Sequence, residues 1–294
     1  MVVARKGKHV KTKAFTLIEL LVVIAIIALL MAIVMPSLNL AKKKAATTVC
    51  MNNTKNLALG WCMYSSDNDD RIMSCEDTGT EQPGNRFVGW IGIPRDENGT
   101  LRGCTQTNPE VTDEDEIRGI KAGLLYPYVQ NPKAYHCPGD TARISLYDRT
   151  RVFVTYSIPE CLYAFPDPSH ARYKLQIRTY GEITRPSTRY AFVESGETRN
   201  WNMAHHFVMA CPERTGRPDW GWWGPMAINH GNASVLGFCD GHAEVRKWRA
   251  PFTIERVSKL LSQGVGSYGQ EYPPEGQTQD IDYMAAGWAY RHNE

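Results

Sequence analysis

The sequence predicts an α+β fold: a long N-terminal helix, membrane-embedded over its first half, packed against an antiparallel sheet that carries loop insertions. Three observations carry that prediction. The run from Phe15 to Met35 is twenty-one residues long with Glu19 as its single charge, enough for a helix to cross a hydrocarbon core of about 30 Å. Beyond it, Cys50, Thr54, Leu57, Trp61 and Tyr64 recur at steps of three and four, one face of a continuing helix. Far downstream, ASVLGFC and HAEVRKW flank Asp240-Gly241, the pattern of an antiparallel hairpin closed by a two-residue turn.

Residues 1–14 form a basic leader with Arg5, Lys6, Lys8, Lys11 and Lys13 and no acid. A basic lead before a spanning run is an export signal whose charged end stays in the cytoplasm. Ala14 is small and directly precedes Phe15, so a cut between them leaves the whole apolar run (15–35) on the mature chain. Glu19 lies four residues past that junction, and a carboxylate inside a membrane helix costs about 2.5–3.5 kcal/mol on insertion scales. Pro36, at the far edge of the span, is placed to kink a continuing helix.

From Phe15 to Tyr64 an unbroken helix is ~75 Å long, and residues 65–294 follow as the exported head. The turn-forming run Ser65 to Asp70 has the opening of a calcium loop. However, Ile72 stands where such a loop needs Gly, and Thr78 where it needs Glu. Residues 76–108 read as loops and short strands. Thr112 is placed as an N-cap ahead of Asp113 to Glu116, a solvated helix start continuing to about Leu125. His136 to Asp140 is a turn that Cys137 can staple. RVFVTYSI (151–158) and RYAFV (189–193) read as strands. Residues 200–225 gather Trp201, Trp220, Trp222 and Trp223 with His205 and His206. They read first as a loop folded over the sheet edge and stapled by Cys211, second as an aromatic surface for a sugar.

Charge and cysteine content narrow the function. Removing the five basic leader residues from 33 leaves 28 basic against 31 acidic residues, a balance that offers no electrostatic case for nucleic acid. Eight cysteines all follow the membrane run, none spaced as CxxC. In an exported head this favours disulfides over zinc. Cys50 and Cys62 cannot pair, since twelve helical residues set them ~18 Å apart. Among the many remaining pairings, Cys50 with Cys137 is the expected one, tying the helix to the Cys-Pro-Gly turn.

The hairpin segment 229–248 holds His230, Asp240 and His242. Two imidazoles and a carboxylate can bind zinc or move a proton. The preferred reading is structural: a hydrogen bond from His230 to the Asp240-Gly241 turn that locks the hairpin, with Ala243 and Val245 facing inward. No nucleophile motif, HExxH or phosphate-binding Gly loop is present, so neither an enzyme activity, a cofactor nor a metal is expected.

The string Ala14-Phe15-Thr16-Leu17-Ile18-Glu19 resembles the processing site of type IV prepilins and type II secretion pseudopilins, with Ala14 where those families usually have Gly. The likeness extends over roughly residues 11–64. The spacing of His230 to Asp240-Gly241 resembles the H-X9-DG signature of a large prepilin-like family. Looser counterparts are Cys137-Pro138, Thr155-Tyr156-Ser157 and the run Pro186 to Glu194. The resemblance implies a pilin-like head and cleavage between Ala14 and Phe15 by prepilin peptidase, with methylation of the new Phe15 amine. It implies that Glu19 neutralises that amine on a neighbouring subunit during assembly into a pseudopilus or pilus-like filament. The implied setting is a single pass of the inner membrane, leader cytoplasmic and head periplasmic or extracellular, among other pilin or pseudopilin subunits. The size of the head favours a minor or specialised subunit. The alternative is a membrane-anchored adhesive protein that binds glycans through the tryptophan-rich loop.

Overall fold

The computed structural model describes residues 17–75, 81–82, 85–86, 89–102, 111–140, 153–163, 175–196, 206–224, 226–263 and 270–289. The chain divides into two compact units, Met1–Lys44 and Ala45–Glu294.

Helix α1 spans Leu17–Asp67 and runs through Pro36. Proline removes one bond of the helical ladder; beside it, Ser37 Oγ donates to the Val34 carbonyl at 2.8 Å. In the first unit every residue from Leu17 to Lys44 is exposed. This stretch has no buried stripe and, Glu19 apart, is apolar all round up to Met35, the form of a helix whose solvent is lipid. In the second unit the helix is one-sided, with Cys50, Thr54, Leu57, Ala58, Gly60, Trp61 and Ser65 buried. Each of Leu57 and Trp61 contributes about 1.5–3 kcal/mol or more by burial. Tyr64, expected on that stripe, is half-buried. The helix ends at Asp67, where Asn68 donates to the Tyr64 carbonyl and left-handed residues Asp69 and Asp70 turn the chain. Asp67 and Asp70 accept from Tyr128 Oη and the Gly181 N–H, so this acidic turn ties the helix end to two distant segments.

The elements that follow are β1 (Glu81–Gln82), β2 (Asn85–Arg86), α2 (Asp113–Ala122), β3 (Tyr156–Pro159), β4 (Tyr190–Glu194), β5 (His206–Phe207) and β6 (Met209–Ala210). After them come α3 (Pro212–Thr215), β7 (Gly221–Trp222), β8 (Ala233–Phe238), β9 (Ala243–Lys247), α4 (Pro251–Gln263) and α5 (Gln279–Gly287). The central sheet has the order β5-β3-β4-β8-β9. Its pairs are antiparallel except β3 with β5. This is the α+β, pilin-like architecture: a long apolar N-terminal helix and a sheet-based head. Trp90, Tyr135 and Phe192 meet in the core, with ring centroids 6.0 Å and 5.3 Å from Trp90.

Three expectations need correction. Helix α2 carries the expected N-cap, since the Thr112 side chain accepts from the Asp115 N–H and the Asp115 carboxylate from the Thr112 N–H. It stops at Ala122 rather than near Leu125. Gly123 is extended there, and a Cβ on it would lie 2.4 Å from Ile91 Cα. Nor is the acidic start wholly solvated, because Asp115 and Glu116 are buried. Glu116 accepts the N–H groups of Phe153 and Val154 at 3.1–3.2 Å. That contact also explains why Phe153 and Val154, expected in a strand, precede β3 instead of joining it: their N–H groups are bonded to a carboxylate and not to a neighbouring strand, while Arg151 lies outside the described residues.

The third correction is the hairpin. Gly237 pairs with Ala243, Phe238 N–H donates to the His242 carbonyl, and Gly241 N–H to the Phe238 carbonyl. The loop is therefore three residues, Cys239 to Gly241, with Gly241 at φ +91°. This is the left-handed position that such loops reserve for glycine. On β9, Val245 is 42% exposed instead of facing the core. The half-buried face is that of Glu244 and Arg246, which Tyr283 of α5 covers. Tyr283 Oη donates to Glu244, and the Arg246 guanidinium lies 3.7 Å from the Tyr283 ring centre.

The other sheet face receives α1 at Gly237, where a Cβ would come within 2.7 Å of Thr54 Cγ2. Gly237→Ala is expected to destabilise the head by about 1–3 kcal/mol through overpacking. Adding Thr54→Ser, which deletes the opposing methyl and keeps the hydroxyl bonded to the Cys50 carbonyl, should restore most of the loss. Urea unfolding of the two variants beside wild type measures both.

Candidate functional site

Two regions carry functional chemistry. The first is the start of α1. Glu19 is its first-turn acid, set among Leu17, Ile18, Leu20 and Leu21, all more than half exposed. By length and composition this helix can cross a membrane. Ala14 and Phe15 lie outside the described residues.

The second is a buried cluster in the head, beneath the helix face that starts at Thr47. Cys50 on α1 and Cys137 in the Cys-Pro-Gly turn are joined in a disulfide with Cα atoms 5.4 Å apart. Against it lies the His230 ring, whose side chain is 1% exposed, and Glu194, the last residue of β4, at 0%. His230 Nδ1 bonds Thr47 Oγ1 at 3.0 Å. On the other side of the ring, Nε2 lies 2.9 Å from Glu194 Oε1 and 3.3 Å from Cys137 Sγ. The remaining carboxylate oxygen, Glu194 Oε2, accepts the Val235 N–H at 2.8 Å. Gly139 seals the turn over the ring: its N–H points to Cys137 Sγ at 3.3 Å, and a Cβ on it would sit 3.1 Å from His230 Cε1.

Burial pushes the Glu194 carboxyl above its ordinary value, while the bond to His230 works in the opposite direction. A carboxylate and an imidazole buried together stabilise one another only while both partners remain; stripping one leaves an uncompensated group worth several kcal/mol. One ligand atom each from Cys50, Cys137, Glu194 and His230 lies within 4.8 Å of the other three.

The expected bond from His230 to the hairpin turn is not the one formed. His230 bonds across the core to α1 and β4, because the tight turn at Gly231 (φ +69°) and Asn232 (φ 59°) directs the ring away from the hairpin tip. Asp240 instead accepts from the His242 N–H and pairs with its ring on the surface. Gly241 lies against α1, with a Cβ position 2.5 Å from Leu59 Cδ2. His230 and Asp240 thus serve two separate places. Thr47 and Glu194 are participants that no local spacing announced; the one signal was that Glu194 closes the run from Pro186.

The tryptophan-rich loop presents no aromatic array among the described residues. Trp222 is buried edge-on to Trp248 at 6.1 Å. Trp223 lies under the Arg214 guanidinium at 3.8 Å, and that arginine is paired with the buried Glu160. Trp220 is half-buried against Trp288. Cys211 is buried at the N-cap of α3, whereas Trp201 and His205 fall outside the described residues. Cys62, Cys161 and Cys239 are free thiols, so an even cysteine count does not translate into complete pairing.

Comparison with known proteins bears on the first region. Residues 10–35 match the family described as the prokaryotic N-terminal methylation motif. A 57-residue stretch is 47% identical to the type IV wide pilus major component PilA4 of Thermus thermophilus, covering 19% of this chain and 44% of that protein. The match thus spans less than half the length of that relative. No solved structure matches the chain. With this methylation motif at the start of an exposed apolar helix, and an α+β head after it, the chain is similar over its N-terminal segment to type IV prepilins.

Proposed function

We propose that the chain is a structural subunit of a pilus-like filament, cut by prepilin peptidase between Ala14 and Phe15, methylated on Phe15 and assembled through α1. The observation that carries this is the exposed stretch of α1, apolar but for Glu19, lying inside the matched methylation motif. Such a surface is stable in lipid or among identical helices, not in water. The basic leader holds the N-terminus in the cytoplasm and the head crosses to the far side of the inner membrane. Likeness to a pilus component supports a type IV pilus-like filament over a secretion pseudopilus. Contacts between identical subunits in such a filament are heterologous and do not close. A glycan-binding reading gains nothing from Trp222, which is buried.

Mass spectrometry of the membrane fraction is expected to find a mature chain beginning at Phe15 with a methylated amine. Mechanical shearing should release the same species as filaments. A mature N-terminus near residue 37 or beyond would identify an ordinary secreted protein and overturn the proposal.

A further inference from the structure

We propose that, when Cys50 and Cys137 are reduced, their thiolates together with His230 Nε2 and Glu194 Oε1 bind one zinc-type divalent ion, and that disulfide formation ejects it. A disulfide requires no polar companions, yet here an imidazole and a carboxylate, both side chains at most 1% exposed, converge on its sulfurs. The four donor atoms already lie within 4.8 Å of one another. A tetrahedral zinc ion with bonds of about 2.0–2.3 Å holds its ligands ~3.3–3.8 Å apart. The contacts of 3.3 Å from Cys137 Sγ to His230 Nε2 and 2.9 Å from that nitrogen to Glu194 Oε1 need only a small expansion. Two thiolates, one imidazole and one carboxylate suit a borderline-soft ion of this kind.

The surroundings have the form of an outer coordination shell. Thr47 Oγ1 engages Nδ1 and so turns Nε2 toward the sulfur and the carboxylate. Val235 N–H holds the other oxygen of Glu194. Gly139 N–H points at Cys137 Sγ, an interaction that favours a thiolate over a thiol. With all four positions supplied by the protein, the site is structural and closed.

The interconversion balances as a two-electron exchange. A disulfide oxidant takes two electrons from the two thiolates and two protons from solvent, leaving as two thiols. The Cys50–Cys137 bond forms, and the divalent ion departs with its charge unchanged. Metal occupancy and cross-link are therefore alternative ways of tying α1 to the same turn.

The test uses the full chain in detergent, reduced with a non-thiol reductant, desalted without oxygen and titrated with Co²⁺. We expect one ion per chain with the thiolate charge-transfer bands and intense visible bands of tetrahedral cobalt, displaced by Zn²⁺. Adding a small-molecule disulfide should release one zinc to a chromophoric chelator as two protein thiols are lost and two small-molecule thiols appear. His230→Gln should abolish stoichiometric binding, Thr47→Val should weaken it by about 10–100-fold, and Cys62→Ser should leave it unchanged. Absence of thiolate bands in the reduced protein, or bands that persist in His230→Gln or vanish in Cys62→Ser, would overturn the proposal. Should the variants fail to fold, X-ray absorption of zinc-loaded wild type decides: two sulfur and two nitrogen or oxygen neighbours support it, and any other sulfur count refutes it.

Discussion

Replacing both Cys50 and Cys137 with alanine is expected to lower the stability of the head by about 4–5 kcal/mol in chelator-treated buffer. The two residues are 87 apart in sequence, and closing a loop of that length restricts the unfolded chain by about that amount on the chain-entropy account. Near this link Thr47 Oγ1 bonds the His230 ring, and Asn53 Nδ2 donates to the His136 and Lys133 carbonyls at 3.3 and 3.5 Å. Denaturant melts of oxidised wild type against the double variant measure the difference. A variant within about 1 kcal/mol of wild type would show that the link constrains neither the folded nor the unfolded chain.

Glu19→Val is expected to leave membrane insertion and cleavage before Phe15 intact while filament assembly fails. The substitution makes the span more apolar, so insertion is favoured. On the proposed function, cleavage creates an ammonium one helical turn from Glu19, and the carboxylate of one subunit meets the amine of the next inside a helix-packed core. An ammonium left there without a partner costs about 3–5 kcal/mol, a loss of about 100- to 1,000-fold or more in subunit addition. The experiment compares processed, membrane-inserted protein with sheared filament for both variants. Normal filament yield from Glu19→Val would reduce Glu19 to an interfacial residue.

What could be read from the sequence was what depends on near neighbours. The stripe from Cys50 to Trp61 is legible because a helix repeats its environment every 3.6 residues: Cys50, Thr54, Leu57 and Trp61 are all buried, with the small residues Ala58 and Gly60 beside them. The Thr112 cap is legible because its partner is three residues away. The errors have the opposite character. Val245 alternates as a core residue should, but the cover on β9 comes from Tyr283, thirty-eight residues later, and lies on the other face. Glu116 sits in a run of acids that suits a helix start, and its role depends on N–H groups at 153 and 154. The buried cluster draws on four separate segments: the Cys50–Cys137 pair is legible from the sequence, but its meeting with His230 is not. Glu194, whose carboxylate joins them, looked like the end of a strand.

Strand β9 closes one side of the central sheet with no further strand beyond it among the described residues. Its outer N–H and C=O groups are a template on which a foreign strand could pair, the first step toward cross-β aggregation. The residues here resist that outcome. The strand is five residues long, carries Glu244, Arg246 and Lys247, and adjoins the His242–Asp240 pair, so an incoming copy in register sets like charges opposite one another. For a subunit proposed to stand beside many identical heads, this is a safeguard of solubility. On the proposed function, the chain can polymerise through its greasy N-terminal helix while this edge strand, which would invite polymerisation of the wrong kind, stays short and charged.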